Sequence, residues 1–392
     1  MTQKKSLTFL NIAAIMSAYV FAVGMMAINP TIQKLIETFP DVPISTIKMV
    51  STLPSLMSSG VMIIIGFIVG RKLSYKTVLL LATICLFVGG SLPVFFHSNF
   101  YSILAARAVF GLGMGGIGCR NSLVIASFDE ENRVKYMGYG IFVSNVCGVI
   151  MQIVSGILTD IGLKQSFYVY VIAIIPFLLI TFFLKEPEHV TKAVDQAKSE
   201  KLTINKRVWL YVAIGFVWCI LGYSIMTNMS TFVQARGLGT AAVAGSILSL
   251  YTLGGAVTGF FSSRMYKVTK KFFVPLCFAT VAIGELIVLL GFNIPMVGIG
   301  TALAGGAWFA LNPHIMSYTG IVAGKTSMAF CTSITLAGTQ IGVFLSSYLC
   351  AGLGTFFTDS IIATKYAAII GFGAIAILFT IFDIRPKEVR DK

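Results

Sequence analysis

The sequence predicts an all-α polytopic membrane protein of twelve spans, arranged as two six-helix bundles, and three observations predict it. Apolar residues fill 56% of the 392 positions and charged residues only 11%, against about 25% charged in a soluble chain. The apolar residues come in long runs separated by short polar stretches, each run long enough for the about 20 residues that a membrane helix needs. The two halves of the chain also repeat each other. Twelve spans take roughly 240 residues, which leaves tails and loops but no sizeable soluble domain.

The runs place spans near residues 8–28, 49–69, 78–96, 101–126, 137–159 and 166–184, then 208–229, 241–263, 272–292, 295–318, 328–352 and 361–382. The first run follows Lys4 and Lys5 as a secretory signal would. It is longer than a signal core and no small-residue cleavage site follows, so a retained span is expected. The one long polar stretch, Lys185 to Arg207, divides the chain into a first bundle (1–184), a linker (185–207) and a second bundle (208–392).

The formal charge is +14, which in a soluble chain would suggest nucleic acid. Its distribution argues otherwise. With both termini cytoplasmic, 22 of the 29 Lys and Arg residues fall inside. The outer loops then hold Lys34, Lys48, Lys164, Arg236 and Lys365, and the fourth span holds Arg107 and Arg120. The positive-inside rule selects this orientation. The basic balance therefore expresses topology and affinity for anionic lipid headgroups, with no nucleic-acid partner. A multi-pass monomer of the cell (inner) membrane is expected.

The repeat is visible in residues. Gly66-Phe-Ile-Val-Gly-Arg71 after the second span matches Gly259-Phe-Phe-Ser-Ser-Arg264 after the eighth, and Gly115 and Asn121 match Gly306 and Asn312. An even number of spans per half makes the copies parallel, related by an axis along the membrane normal, which is the symmetry of a two-lobed transporter.

Enzyme and metal chemistry find no support. There is no Walker A loop, and the glycines from Gly111 to Gly118 lie within a span, where they permit helix contact. His97, His189 and His314 have no ligand or nucleophile partner at a recognisable spacing. Cys85, Cys119, Cys147, Cys219, Cys277, Cys331 and Cys350 all fall in apolar runs without a CxxC pair, as buried reduced thiols do. No cofactor is implied.

At this point the sequence resembles the major facilitator superfamily over essentially its whole length. The family's signature between spans two and three, Gly-x-Leu-x-Asp-Arg-x-Gly-Arg-Lys, reads here Gly66-Phe-Ile-Val-Gly70-Arg71-Lys72-Leu-Ser-Tyr-Lys76; the first Gly and first Arg match, and the Asp has become Gly70. Arg107-Ala-Val-Phe-Gly111 with Gly113 resembles the Arg-x-x-Gln-Gly-x-Gly element of span four, and Asp129-Glu130-Glu131-Asn132-Arg133 the acidic loop after it. The Gly-Pro motif of drug/proton antiporters is absent from span five. The resemblance implies a secondary transporter that rocks two lobes around a midplane site, and a cytoplasmic gate at Gly66, Gly70, Arg71, Asp129, Glu130, Arg133, Gly259 and Arg264. The family's Asp holds the lobes together on the cytoplasmic side; with Gly70 in its place, one lock of the outward-facing state is missing and an inward-open resting form is expected.

Ionisable residues inside a membrane are functional candidates by default. Arg107 and Arg120, 13 residues apart, sit about 220° apart on a regular helix. Arg107 reads as a structural cation bonding carbonyls or as a coupling residue. Arg120 reads as the binder of a substrate anion or as a cation snorkelling to the cytoplasmic surface. His314 reads as a packed neutral ring or a weaker site candidate. Glu285, on span nine, is the one carboxylate expected in the membrane, with packing and proton transfer both open. Tyr19, Asn145, Gln152, Tyr223, Asn228, Tyr251, Trp308, Asn312 and Gln340 fall on spans that the resemblance places around the cavity, as polar anchors and aromatic walls. Arginines without core acids favour a small organic anion or an amphipathic one as substrate, with H+ or a counter-substrate as partner. The alternative is proton-coupled multidrug efflux through the aromatic pocket.

Overall fold

A computed structural model describes residues 8–69, 73–128, 130–186, 205–354, 356 and 359–386. Among the described residues, ten stretches are helices long and apolar enough to cross a membrane. Two further spans complete twelve. The first is broken: helix Phe9–Ser17, a 3-10 stretch Gly24–Thr31 and helix Ile32–Thr38 follow one another. Pro30 lies in the 3-10 stretch, where its missing N–H and its ring disfavour a continuous α-helix. The first span therefore runs about ten residues past the predicted end at 28.

The other is hidden in a helix assigned unbroken over Ile294–Gly354. Straight, it would separate Thr319 from Thr335 by about 24 Å. Their hydroxyls lie 3.4 Å apart, so the segment folds back on itself and supplies spans ten and eleven.

The remaining spans are second Ile44–Ile68, third Tyr75–Ser91, fifth Glu130–Ile161, seventh Lys206–Ala235, eighth Ala241–Thr269, ninth Phe273–Leu290 and twelfth Ser360–Ile381. The sixth combines Leu163–Ser166, a 3-10 stretch Phe167–Ala173 and Ile174–Phe183. Local chemistry starts several of them. Ser74, Asn99, Asn205 and Asp359 accept from the free N–H groups of the first turn, as N-caps do.

The fourth span is Phe100–Gly116 and Arg120–Ser127 joined by a 3-10 turn, Ile117–Cys119. Three steps of about 120° instead of 100° move Arg120 round, so the arginines stand about 80° apart, on neighbouring faces. That corrects the regular-helix angle.

The spans pack into two bundles, the second and third against the fourth in one, the seventh against ten and eleven and the ninth against ten and twelve in the other. Between bundles, the second span meets the eleventh and the fifth meets the eighth. Under the sequence repeat these two seams are equivalent. Large apolar side chains such as Phe95, Phe182, Phe292 and Ile370 are exposed on the outside, facing where lipid would lie.

Lys48 and Lys365 do not lie in outer loops as expected. Both are buried within spans; each has a partner inside the protein, which makes its burial tolerable.

Candidate functional site

The second span carries a polar stripe, Lys48, Ser51, Thr52, Ser55, Ser58 and Ser59, every residue of which is buried. The spacing of three and four places them on one face, and that face meets the other bundle. Lys48 Nζ donates to Asn228 Oδ1 at 2.5 Å. The Ser51 hydroxyl donates to Asn29 Oδ1 and lies 3.2 Å from the Tyr223 hydroxyl. Thr52 pairs with Ser347. Lower in the seam, Ser55 donates to the Gln340 carbonyl and Gln340 Nε2 to Ser58.

Pro54 interrupts the backbone ladder of this span. Lacking an N–H, it leaves the carbonyl of Val50 without its helical partner. Arg107 Nε takes that carbonyl at 2.9 Å, and its guanidinium lies 4.2 Å over the Phe110 ring and 5.0 Å from that of Tyr170. Arg107 is fully buried.

The second seam mirrors the first. Gln152 Nε2 donates to Thr252 Oγ1, Thr31 pairs with Thr159, and Ser230 donates to the Pro30 carbonyl across the bundles. A side chain at Gly156 would meet the Ala241 carbonyl, so only glycine lets the fifth and eighth spans approach this closely. The Asp160 carboxylate closes the end of the seam: it accepts from Thr240 Oγ1 at 2.6 Å, Ala241 N at 3.0 Å and Ala242 N at 3.1 Å, capping the eighth span from the opposite bundle. Asp160 and Thr240 also line a cleft of about 320 Å³ with Lys34 and Glu37. Among the described residues, the hydrogen bonds between bundles run from this end, opposite the termini, to Ser58–Gln340, about 21 Å along the second span.

Towards the terminus side, Arg120 is partly buried. Its Nη1 donates to the Ile117 carbonyl and its guanidinium lies 5.3 Å from the Tyr19 ring. Tyr19 donates to Asn121 Oδ1 at 2.6 Å. Arg120 Nε has no hydrogen-bond partner, so this cluster keeps a donor in reserve. Asn145 is buried on the fifth span.

In the second bundle, Trp308 and Trp218 lie 4.4 Å apart, with Tyr251 6.4 Å from Trp308. Any side chain at Gly222 would overlap the Trp308 ring. Asn312 is exposed. His314 bonds the Ala310 carbonyl and packs between Tyr266 and Phe273. Glu285 does not stand alone: its Oε2 pairs with Lys365 Nζ at 3.2 Å, both side chains almost fully buried, and Lys365 lies 4.5 Å over the Phe232 ring.

The structure thus brings Tyr223, Asn228 and Gln340 to one seam, Gln152 to the other, Tyr19 to Arg120, and Tyr251 to Trp308. It sets Glu285 against Lys365 and His314 between Tyr266 and Phe273. Of the expected gate residues, Gly70, Arg71 and Asp129 lie outside the described residues, as does 187–204 of the linker. Gly66, Glu130 and Arg133 are helical, and Gly259 and Arg264 are exposed on the eighth span. Glu186, at the start of the linker, caps the third span through Tyr75 N and Lys76 N.

A family model described as the Major Facilitator Superfamily matches residues 10–347. The chain belongs to this superfamily. Its fold is that of solved superfamily transporters. A bacterial homolog of the human lysosomal transporter Spinster, in an inward-facing and occupied conformation, shares 15% identity over 96% of this chain and 98% of its own, with a TM-score of 0.73. A D-xylose-proton symporter shares 13% over 99% and 100%, TM-score 0.73. The POT family transporter PepTSo shares 12% over 97% and 98%, also at 0.73. No curated protein sequence matches the chain. As a superfamily member it is a multi-pass membrane transporter and not an enzyme.

Several residues at the seams escape a reading by single positions. Lys48 and the Ser51–Ser58 stripe are legible in sequence as a polar period of three and four within the apolar run of the second span. Asp160 and Trp218 carried no such signal.

Proposed function

We propose that this superfamily transporter moves a small organic anion, or an amphipathic solute with an anionic group, by alternating access. One observation carries the reading. Among the described residues the one buried carboxylate, Glu285, is already engaged by Lys365, while the partly buried guanidinium of Arg120 keeps an Nε without a hydrogen-bond partner. A buried cation is costly without a counter-charge, and a translocated anion supplies one during transport. Arg120, with its spare Nε and the Tyr19–Asn121 pair beside it, is the substrate's charge partner, reached from the terminus side. Tyr251, Trp308 and Asn312 supply the facing wall, while Asn145, Gln152, Tyr223, Asn228 and Gln340 shape the midplane between bundles.

The two bundles, 1–184 and 208–392, are the rocking units, and the termini and linker are cytoplasmic. Cross-bundle bonds concentrated opposite the termini correspond to an inward-facing state. The proton coupling of the D-xylose symporter supports H+ as partner ion, with Glu285 and His314 in supporting roles. The aromatic cluster at Trp218 and Trp308 favours a second reading, proton-coupled efflux of lipophilic compounds. A thermal-stabilisation screen of purified protein against anionic and cationic libraries separates the two. Stabilisation by anions that Arg120→Gln weakens is the expected result; stabilisation by lipophilic cations alone would overturn it.

A further inference from the structure

Where residues of spans one, two, four, six and seven come together, three fully buried residues hold polar atoms that make no hydrogen bond of ordinary geometry. Arg107 spends only Nε, on Val50; Nη1 and Nη2 have no partner. Asn29 accepts from Ser51 through Oδ1 and turns Nδ2 toward the Tyr223 hydroxyl without a bond of ordinary geometry. The Tyr170 hydroxyl makes no bond of ordinary geometry but faces the same guanidinium, its ring 5.0 Å away. Ser51, adjacent in sequence to the Val50 carbonyl that holds Arg107, ties Asn29 to Tyr223 of the seventh span. Donors therefore gather around one permanent cation.

We propose that this junction binds one small monovalent anion, a halide or a carboxylate group, at Arg107, Asn29 and Tyr170. The guanidinium offers a planar pair of N–H donors and a carboxylate or halide accepts them. One anion balances the single charge of Arg107. A water molecule bound to the guanidinium would accept its hydrogen bonds but leave the charge uncompensated. The site is separate from Arg120, which lies beyond the 3-10 turn toward the terminus side and bonds Ile117. It also differs in effect. Because Ser51 and Tyr223 join it to the opposite bundle, an occupied site favours the state in which the end opposite the termini is sealed. The inference does not depend on which solute the protein carries.

The test is thermal unfolding of the purified full-length protein in sodium chloride, sodium formate or sodium gluconate at matched ionic strength. The expected result is a saturable rise in the midpoint with chloride, formate or both, and none with gluconate, whose bulk excludes it. Chloride alone identifies a halide site and formate alone a carboxylate site. Arg107→Gln should abolish the dependence, and Asn29→Leu and Tyr170→Phe should each raise the half-saturating concentration about tenfold. Asn29 and Tyr170 lie outside the substrate's proposed charge site at Arg120, so the effect of Asn29→Leu and Tyr170→Phe on the salt dependence makes failure of the anion-transport reading distinguishable from failure here. If Arg107→Gln does not fold, Asn29→Leu carries the test. Equal midpoints in the three salts, a rise without saturation, or a dependence that survives these substitutions would overturn the proposal.

Discussion

Asp160 offers the sharpest perturbation of the transport cycle. Its carboxylate reaches from the end of the fifth span to Thr240, Ala241 and Ala242 at the start of the eighth. Two of those donors are backbone N–H groups of the first helical turn, which lack intrahelical partners. Losing an N-cap costs about 0.5–2 kcal/mol, and a negative charge at a helix N-terminus contributes about 0.3–1 kcal/mol. Asp160 is exposed, so solvent screening holds the total toward the lower part of that range. A loss of about 1–2 kcal/mol changes a two-state ratio by about five- to thirtyfold. All of it falls on the state with this end closed, because the bonds cross the bundles and break when they part. Spin-label pairs on the loops near Asp41 and Gly237 read that separation directly. In Asp160→Ala the long-distance population should rise by about that factor, with Asp160→Asn between it and the unmodified protein. An unchanged distribution in a folded Asp160→Ala would refute the reasoning.

Glu285→Gln strands a buried Lys365 and should destabilise the fold by about 3–5 kcal/mol, whereas replacing both partners with Leu and Met should restore most of the loss; thermal unfolding of the single and double variants measures both. Arg120→Gln should weaken binding of a stabilising anion about tenfold, the worth of one charge-assisted hydrogen bond of roughly 1.5–3 kcal/mol, while Arg107→Gln should lower the unfolding midpoint; a reversal of the two effects would exchange their roles. Gly222→Ala drives the Trp308 ring from its seat and should cost about 1–3 kcal/mol, with a shift in tryptophan emission as the readout. Reporter fusions after Lys164 and after Arg207 should report opposite compartments, and the same compartment for both would sink the proposed topology.

Sequence by itself determined the membrane class, the superfamily and most of the spans, because these follow from local quantities. Apolar run length, Gly66 to Arg71 and its copy at Gly259 to Arg264 can be read without knowing what touches what. Arg107 was likewise visible as a charge in a span, and Pro54 stands in the sequence of the second span. That Pro54 frees a carbonyl for Arg107 depends on how two helices pack. Tertiary structure alone decided the fate of Lys48 and Lys365, which as isolated charges near span ends read as loop residues and are in fact buried against Asn228 and Glu285. It likewise decided the 3-10 turn that rotates Arg120, the fold-back within Ile294–Gly354, and the capping of the eighth span by Asp160, 80 residues away. The physical reason is common to all of them. Hydropathy is a sum over neighbours in sequence, whereas the cost of burying a charge or a donor is set by whichever partner the fold brings within about 3 Å, and here those partners come from other spans.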